Sequence, residues 1–301
     1  MRIDKKNCNN IILGTAQWGL HYGVSNTKGV TSSEQVSRIL KRAALVGVNL
    51  LDTAPGYGNS ESKIGKNAQS PFNVITKIPK MPERLSVNDR VKFIESSVRN
   101  SLVNLGAEAV FGLLFHDADD LIGDENGSLI VELHRLKESG VVKNIGVSIY
   151  SGTQIDSILK LFIPDIVQVP MNILDQRLIH SGHLRKLKSL GVKIHARSVF
   201  LQGLFHIPID NLPKYFEPIK PMLVDINNEA IEQGLTMNQA ALSFVRDQAY
   251  VDNTIVGVES ETQLNAAIDD FIIDSSFHTV SSGSTDERFV NPANWDIDNG
   301  C

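Results

Sequence analysis

An aspartate, a tyrosine, a lysine and a histidine stand at the ends of three successive short apolar runs. The run from Val48 closes on Asp52, and Tyr57 follows five residues later in LDTAPGYGNSESKIG (51–65). NVITK closes on Lys77, and VFGLLFHD closes on His116 and Asp117. A phenol titrates near ~10, so Tyr57 alone is a poor acid at neutral pH. A neighbouring cation favours the phenolate, and Lys77 is expected to lower the pKa of Tyr57. A lysine buried without a partner is costly, and Asp52 is the natural partner. His116 can donate a hydrogen bond to a carbonyl oxygen. The set suits delivery of a proton to an oxyanion as it forms on a carbonyl. A different chemistry, Lys77 as a Schiff-base nucleophile, stays open at this point. Any one of these residues could simply cap a loop, but four complementary groups on successive runs outweigh that bland reading.

The four side chains meet only if the runs are parallel strands ending on one rim. Short β-branched runs do alternate with longer amphipathic stretches along the chain. IILGT, VNLLDTA, NVITK, VFGLLFHD, KNIGVSIY, DIVQVP, VKIHARSVF and NTIVGV read as strands. The intervening segments read as helices, among them TSSEQVSRILKRAALVG, with Ser33 as its cap and Gly47 as its stop. LIHSGHLRKLKSLG reads as one helix. Eight strand–helix units in 301 residues predict a closed (β/α)8 TIM barrel in a single domain, 1–301, with an irregular tail over 275–301. No GxGxxG follows the first strand and no GxxxxGK[ST] occurs. A net charge of −5 without basic blocks argues against nucleic-acid or anionic-membrane partners. No apolar window approaches the ~20 residues of a membrane span, and the polar N-terminus lacks a signal segment, so a cytoplasmic protein is expected. Cys8 and Cys301 read as reduced thiols, and no His, Cys or carboxylate set has metal-ligand spacing.

With these stretches in their order, the chain resembles the aldo-keto reductases. The matching segments are LGTAQWG (13–19), LDTAPGYGNSESKIG (51–65), VITK (74–77), LLFHD (113–117), IGVSIY (145–150), VQVPMN (167–172), ARSVFLQGL (196–204) and IVGVESETQL (255–264). The resemblance implies NAD(P)H-dependent reduction of an aldehyde or ketone, with Tyr57 as the proton donor. Lys77, held by Asp52, tunes it, and His116 orients the carbonyl. The nicotinamide cofactor is expected to lie extended along the rim. Thr15, Gln17 and Asp52 stand near it. Ser148 and Gln168 match groups that hold the carboxamide. Ile149 stands where an Asn is often found, with Asn172 as a candidate substitute. Arg197 takes the position that stacks on the nicotinamide, and Ser198, Leu201 and Gly203 fall in the loop that passes the pyrophosphate. At the adenosine end stand Gly257, Glu259, Ser260 and Gln263, where many relatives place Lys at the first and Arg at the last. The resemblance implies NADPH first, while Glu259 makes NADH the alternative.

The substrate side is less constrained. His116 and Tyr57 face it, and Trp18 is expected either to wall the pocket or to pack. Tyr22 and Tyr150 are candidate lining residues; Phe200 and His195 read as packing. In its short polar loops and its NTKG and ARSVFLQG segments the chain resembles family members linked to sugar or polysaccharide metabolism, which implies a small carbonyl partner related to sugars. A cofactor-sensing protein with slow turnover is the remaining alternative that the resemblance carries.

Overall fold

Eight runs rich in Ile, Val and Leu form β1 (Ile11–Gly14), β2 (Leu50–Asp52), β3 (Asn73–Ile78), β4 (Val110–Phe115), β5 (Val142–Ser148), β6 (Ile166–Pro170), β7 (Lys193–Arg197) and β8 (Asn253–Gly257). Each pairs in parallel with the next, and β8 closes on β1, giving a (β/α)8 barrel. The computed structural model describes residues 8–68, 72–83, 85–124 and 126–297; Cys301 and residues 1–7 lie outside these. Cys8 is buried.

The period of two along a strand decides which residues reach the site. Ile12, Leu50, Ile75, Leu114 and Ile166 form a small cluster inside the barrel, with Ile255 packed against it. Their neighbours Leu13, Leu51, Phe115, Val147, Val167, Ala196 and Val256 belong to the large outer core, under the helices. Two residues beyond each interior member, at the C-terminal ends, come Gly14, Asp52, Lys77, His116, Gln168 and Gly257. Ser148 and Arg197 follow outer residues and share that inward parity. One layer on one rim therefore collects the residues singled out from the sequence.

The helices follow local rules, with two corrections. Helix Ser33–Val46 is capped by Ser32, one residue earlier than expected, whose hydroxyl accepts the Gln35 N–H; Gly47 ends it at φ 87°. LIHSGHLRKLKSLG is two helices, Arg177–His180 and His183–Ser189, because Gly182 at φ 77° breaks the first. After β7 the chain runs through 3-10 turns before Lys220–Glu232 and Met237–Arg246. Within 275–297 lie a short helix, Glu287–Val290, and a turn, Pro292–Asn294. Phe277, Phe289 and Val290 of this segment are buried. Arg177 ties it down, pairing with Asp175 at 2.8 Å and Glu287 at 2.9 Å. Among the described residues no helix is long and apolar enough to cross a membrane.

Candidate active site

Lys77 is the hub of the rim. Its ammonium, 2% exposed, donates to Asp52 Oδ2 at 2.7 Å, to the Thr53 carbonyl at 3.0 Å and to Tyr57 Oη at 3.3 Å. All three N–H bonds are thus committed. Asp52 Oδ1 accepts from the side-chain amide of Gln168. The imidazole of His116 meets the Tyr57 ring edge-on, with centroids 5.8 Å apart. The four residues expected to act together do converge.

The loop that delivers Tyr57 is held by backbone contact. A Cβ on Gly19 would lie 1.7 Å from the Tyr57 carbonyl oxygen, and one on Gly58, at φ 57°, would lie 2.4 Å from the Gly19 carbonyl. Only two glycines allow these loops to touch. Ser60 adds a hydroxyl donated to Thr15, and buried Glu61 accepts from Thr76 at 2.6 Å. The Ser-Glu pair in the quoted segment is therefore a fastening for the loop.

Electrostatics modify one expectation. Burial pushes the Tyr57 phenol above its ordinary value; Lys77 pulls it down and Asp52 pushes it back up, leaving the net shift upward. Lys77 was expected to lower it, but in a site this dry the desolvation of a phenolate is the larger effect. Burial lowers the Lys77 ammonium, yet Asp52 and Tyr57 together outweigh it and hold it above its usual value. Burial and then the charge of Lys77 push His116 down to about 4. At neutral pH the site holds a protonated phenol, a charged lysine and a neutral imidazole.

A cavity of about 760 Å³ runs from this cluster along the rim. Its wall contains Thr15, Gln17, Asp52, Tyr57, Lys77, His116, Ser148, Gln168, Arg197, Ser198, Gly203, Gly257, Glu259 and Gln263. Three expectations are corrected, and the choice left open for Trp18 falls to packing. Trp18 is fully buried, with its indole N–H donated to the Val258 carbonyl at 2.9 Å, and does not face the cavity. Leu201 has its side chain in the core, and Ser260 is spent capping helix Glu261–Phe271. Asn172 is consumed by the Ser198 carbonyl and by the N–H groups of Leu174 and Asp175. Arg197 lies over the Tyr150 ring at 4.3 Å and donates to the Ile149 carbonyl at 3.1 Å.

The cavity also uses residues the sequence did not single out: Gln202 in the loop after β7, and Asn238 and Asp270 on the last two long helices. Ser198, Leu201 and Gln202 all have positive φ, at 63°, 46° and 52°. Three non-glycine residues in the left-handed region store strain in one loop beside the cavity, and no residue type announces it beforehand. Gln202 also accepts the Val24 N–H at 2.9 Å, which ties the loop after β1 to the loop after β7. Tyr22 arrives on that first loop; burial and the neighbouring Tyr57 raise it to about 12.

Two polar atoms test whether a nicotinamide fits. Gln168 is fully buried, and its Oε1 has no partner among the described residues, although Nε2 is fixed on Asp52. An orphaned acceptor in a cavity wall is what a carboxamide N–H requires. Ser148, 3% exposed, is its neighbour in register, so the two can present a hydroxyl and a carbonyl side by side.

Fold and rim together define a barrel that can bring a protonated phenol to a carbonyl oxygen beside a cavity of cofactor size. The chain belongs to the aldo/keto reductase family, whose model matches residues 10–280. It is thus an NAD(P)-dependent oxidoreductase working between carbonyls and alcohols. It is 24% identical over 262 residues to L-galactose dehydrogenase of Arabidopsis thaliana, covering 78% of this chain and 77% of that one. A local match of 120 residues, 30% identical, links it to D-arabinose 1-dehydrogenase of Saccharomyces cerevisiae, over 37% of this chain and 36% of that one. The glycerol dehydrogenase structure from Gluconobacter oxydans superposes with a TM-score of 0.69 at 24% identity, covering 89% of this chain and 88% of that one.

Proposed function

We propose that this protein interconverts a sugar-type aldehyde, or another small polyhydroxylated carbonyl, and its alcohol, with Tyr57 moving the proton. The observation that carries the reading is the hydrogen-bonded chain Asp52–Lys77–Tyr57 beside neutral His116 at the head of the cavity. The nicotinamide, held by Ser148 and Gln168, supplies or accepts the hydride when bound. In reduction, neutral His116 donates a hydrogen bond to the substrate oxygen and fixes its position. Tyr57 gives its proton to that oxygen as negative charge develops there. The Lys77 ammonium steadies the phenolate left behind, and Asp52 keeps the ammonium in place. Sugar substrates are favoured by the sugar names of the two curated relatives.

The aldolase alternative fits less well. A Schiff-base lysine must attack as the neutral amine. Lys77 is held charged, with each N–H committed to an acceptor.

The test is single-turnover oxidation of bound reduced cofactor by a panel of aldoses and simple aldehydes, on the wild type and Tyr57→Phe. We expect turnover with at least one sugar, and a loss of about 10²–10⁴ in Tyr57→Phe, the usual span of general acid catalysis. Cofactor affinity should change little. Undiminished turnover in the variant would remove Tyr57 from its role. Labelling of Lys77 by borohydride with a carbonyl substrate would instead support the aldolase.

A further inference from the structure

The two ends of the cavity carry opposite charge. At the head, the wall contains Lys77 and Arg197, which among the described residues are its only Lys or Arg side chains. At the far end it contains Glu259 and Asp270, together with Gln263, Ala266, Ala267, His206 and Asn238. His206 adds no charge there. Burial lowers its pKa, and its Nδ1 is occupied with Asn238 Oδ1 at 2.9 Å. Lys28 interacts electrostatically with Glu259, but it is exposed and lies outside the wall.

A dinucleotide with its carboxamide on Gln168 must place its adenosine half at that far end, because the rest of the cavity lies there. NADPH would bring a ribose 2′-phosphate to a wall with two carboxylates and no lysine or arginine. The two positions where a cation is expected carry none, being Gly257 and Gln263, and a neighbouring amide covers the first. A Cβ on Gly257 would lie 2.7 Å from both side-chain amide atoms of Gln17, which packs over that position. The Gln263 side chain accepts the Glu259 N–H at 2.6 Å. That contact fixes the Glu259 backbone at the mouth of helix Glu261–Phe271. The helix N-terminus attracts anions, but a full carboxylate beside it offsets that partial charge.

We propose that the far end is built for an unphosphorylated adenosine, so that the enzyme prefers NADH, with Glu259 as the residue that discriminates. A carboxylate accepts hydrogen bonds from ribose hydroxyls and repels a phosphate, the logic of acidic residues in other NAD sites. This inference rests on the oxidoreductase reading of the same cavity.

The experiment measures dissociation constants of NADH and NADPH by cofactor fluorescence, at low and high salt, for the wild type, Glu259→Gln and Glu259→Lys. NADH should bind at least about tenfold more tightly, and the ratio should narrow at high salt as repulsion is screened. Glu259→Gln should tighten NADPH several-fold, and Glu259→Lys should tighten it further. Equal or tighter binding of NADPH by the wild type overturns the inference while leaving the oxidoreductase reading intact. An NADH preference that neither substitution alters overturns the role of Glu259. Binding of neither dinucleotide overturns the reading beneath it.

Discussion

Lys77→Met separates the chemical role of the rim from its structural one. The side chain keeps most of its length and loses its charge. With Lys77 Nζ 3.3 Å from Tyr57 Oη, an effective dielectric of ~20 sets the attraction between ammonium and phenolate at about 5 kcal/mol. The transition state carries only part of the phenolate charge, so roughly half of that, a loss of about 10²-fold in the rate of reduction, is expected. Stability should suffer separately. Asp52 is 4% exposed and would keep only the Gln168 amide as a side-chain partner. Stranding one member of a buried pair costs about 3–5 kcal/mol. The sign with pH follows from the raised lysine: the pair's contribution is complete below the unfolded lysine value of ~10.4 and is lost as pH rises through the higher folded value. The assay pairs stopped-flow turnover of bound reduced cofactor with urea unfolding, and adds the double variant Asp52→Asn/Lys77→Met. The double variant should regain much of the stability and none of the rate. Activity in Lys77→Met within threefold of wild type, or recovery of rate in the double variant, would refute the account.

Other consequences can be measured on the same protein. Reduction should be level between about pH 6 and 9, because Tyr57 is raised above its ordinary ~10 and stays protonated there. It should fall at the acid side only near the value of about 4 set for His116; a rate already halved at pH 8 would contradict this. Arg197→Tyr should strengthen oxidised cofactor relative to reduced, since a guanidinium stacks poorly beside a cationic ring; an unchanged ratio of the two dissociation constants would show that Arg197 stays on Tyr150 with cofactor bound. Gly19→Ala should destabilise the fold by about 3 kcal/mol through overpacking against backbone and lower turnover more than tenfold by displacing Tyr57. Wild-type melting and turnover would show that the two loops separate freely.

The rim was legible because a strand has a period of two and a barrel strand has one inside. Asp52, Lys77 and His116 each stand two residues beyond an interior Leu or Ile, at the end of its run. That spacing, with the order of the strands, is local information, and eight repeats of it leave few topologies other than a closed barrel. Tyr57 and its fastenings were legible as a segment, although the contact of Gly19 with Gly58 joins loops that the sequence lists apart. The remaining features depend on which loops fold over one another. Trp18 turns into the core to reach Val258, Arg197 lies on Tyr150, and Gln17 occupies the space over Gly257. The balance that raises Tyr57 despite Lys77 is also tertiary. A sequence names the charges, but the depth at which the barrel buries them decides whether desolvation or attraction prevails.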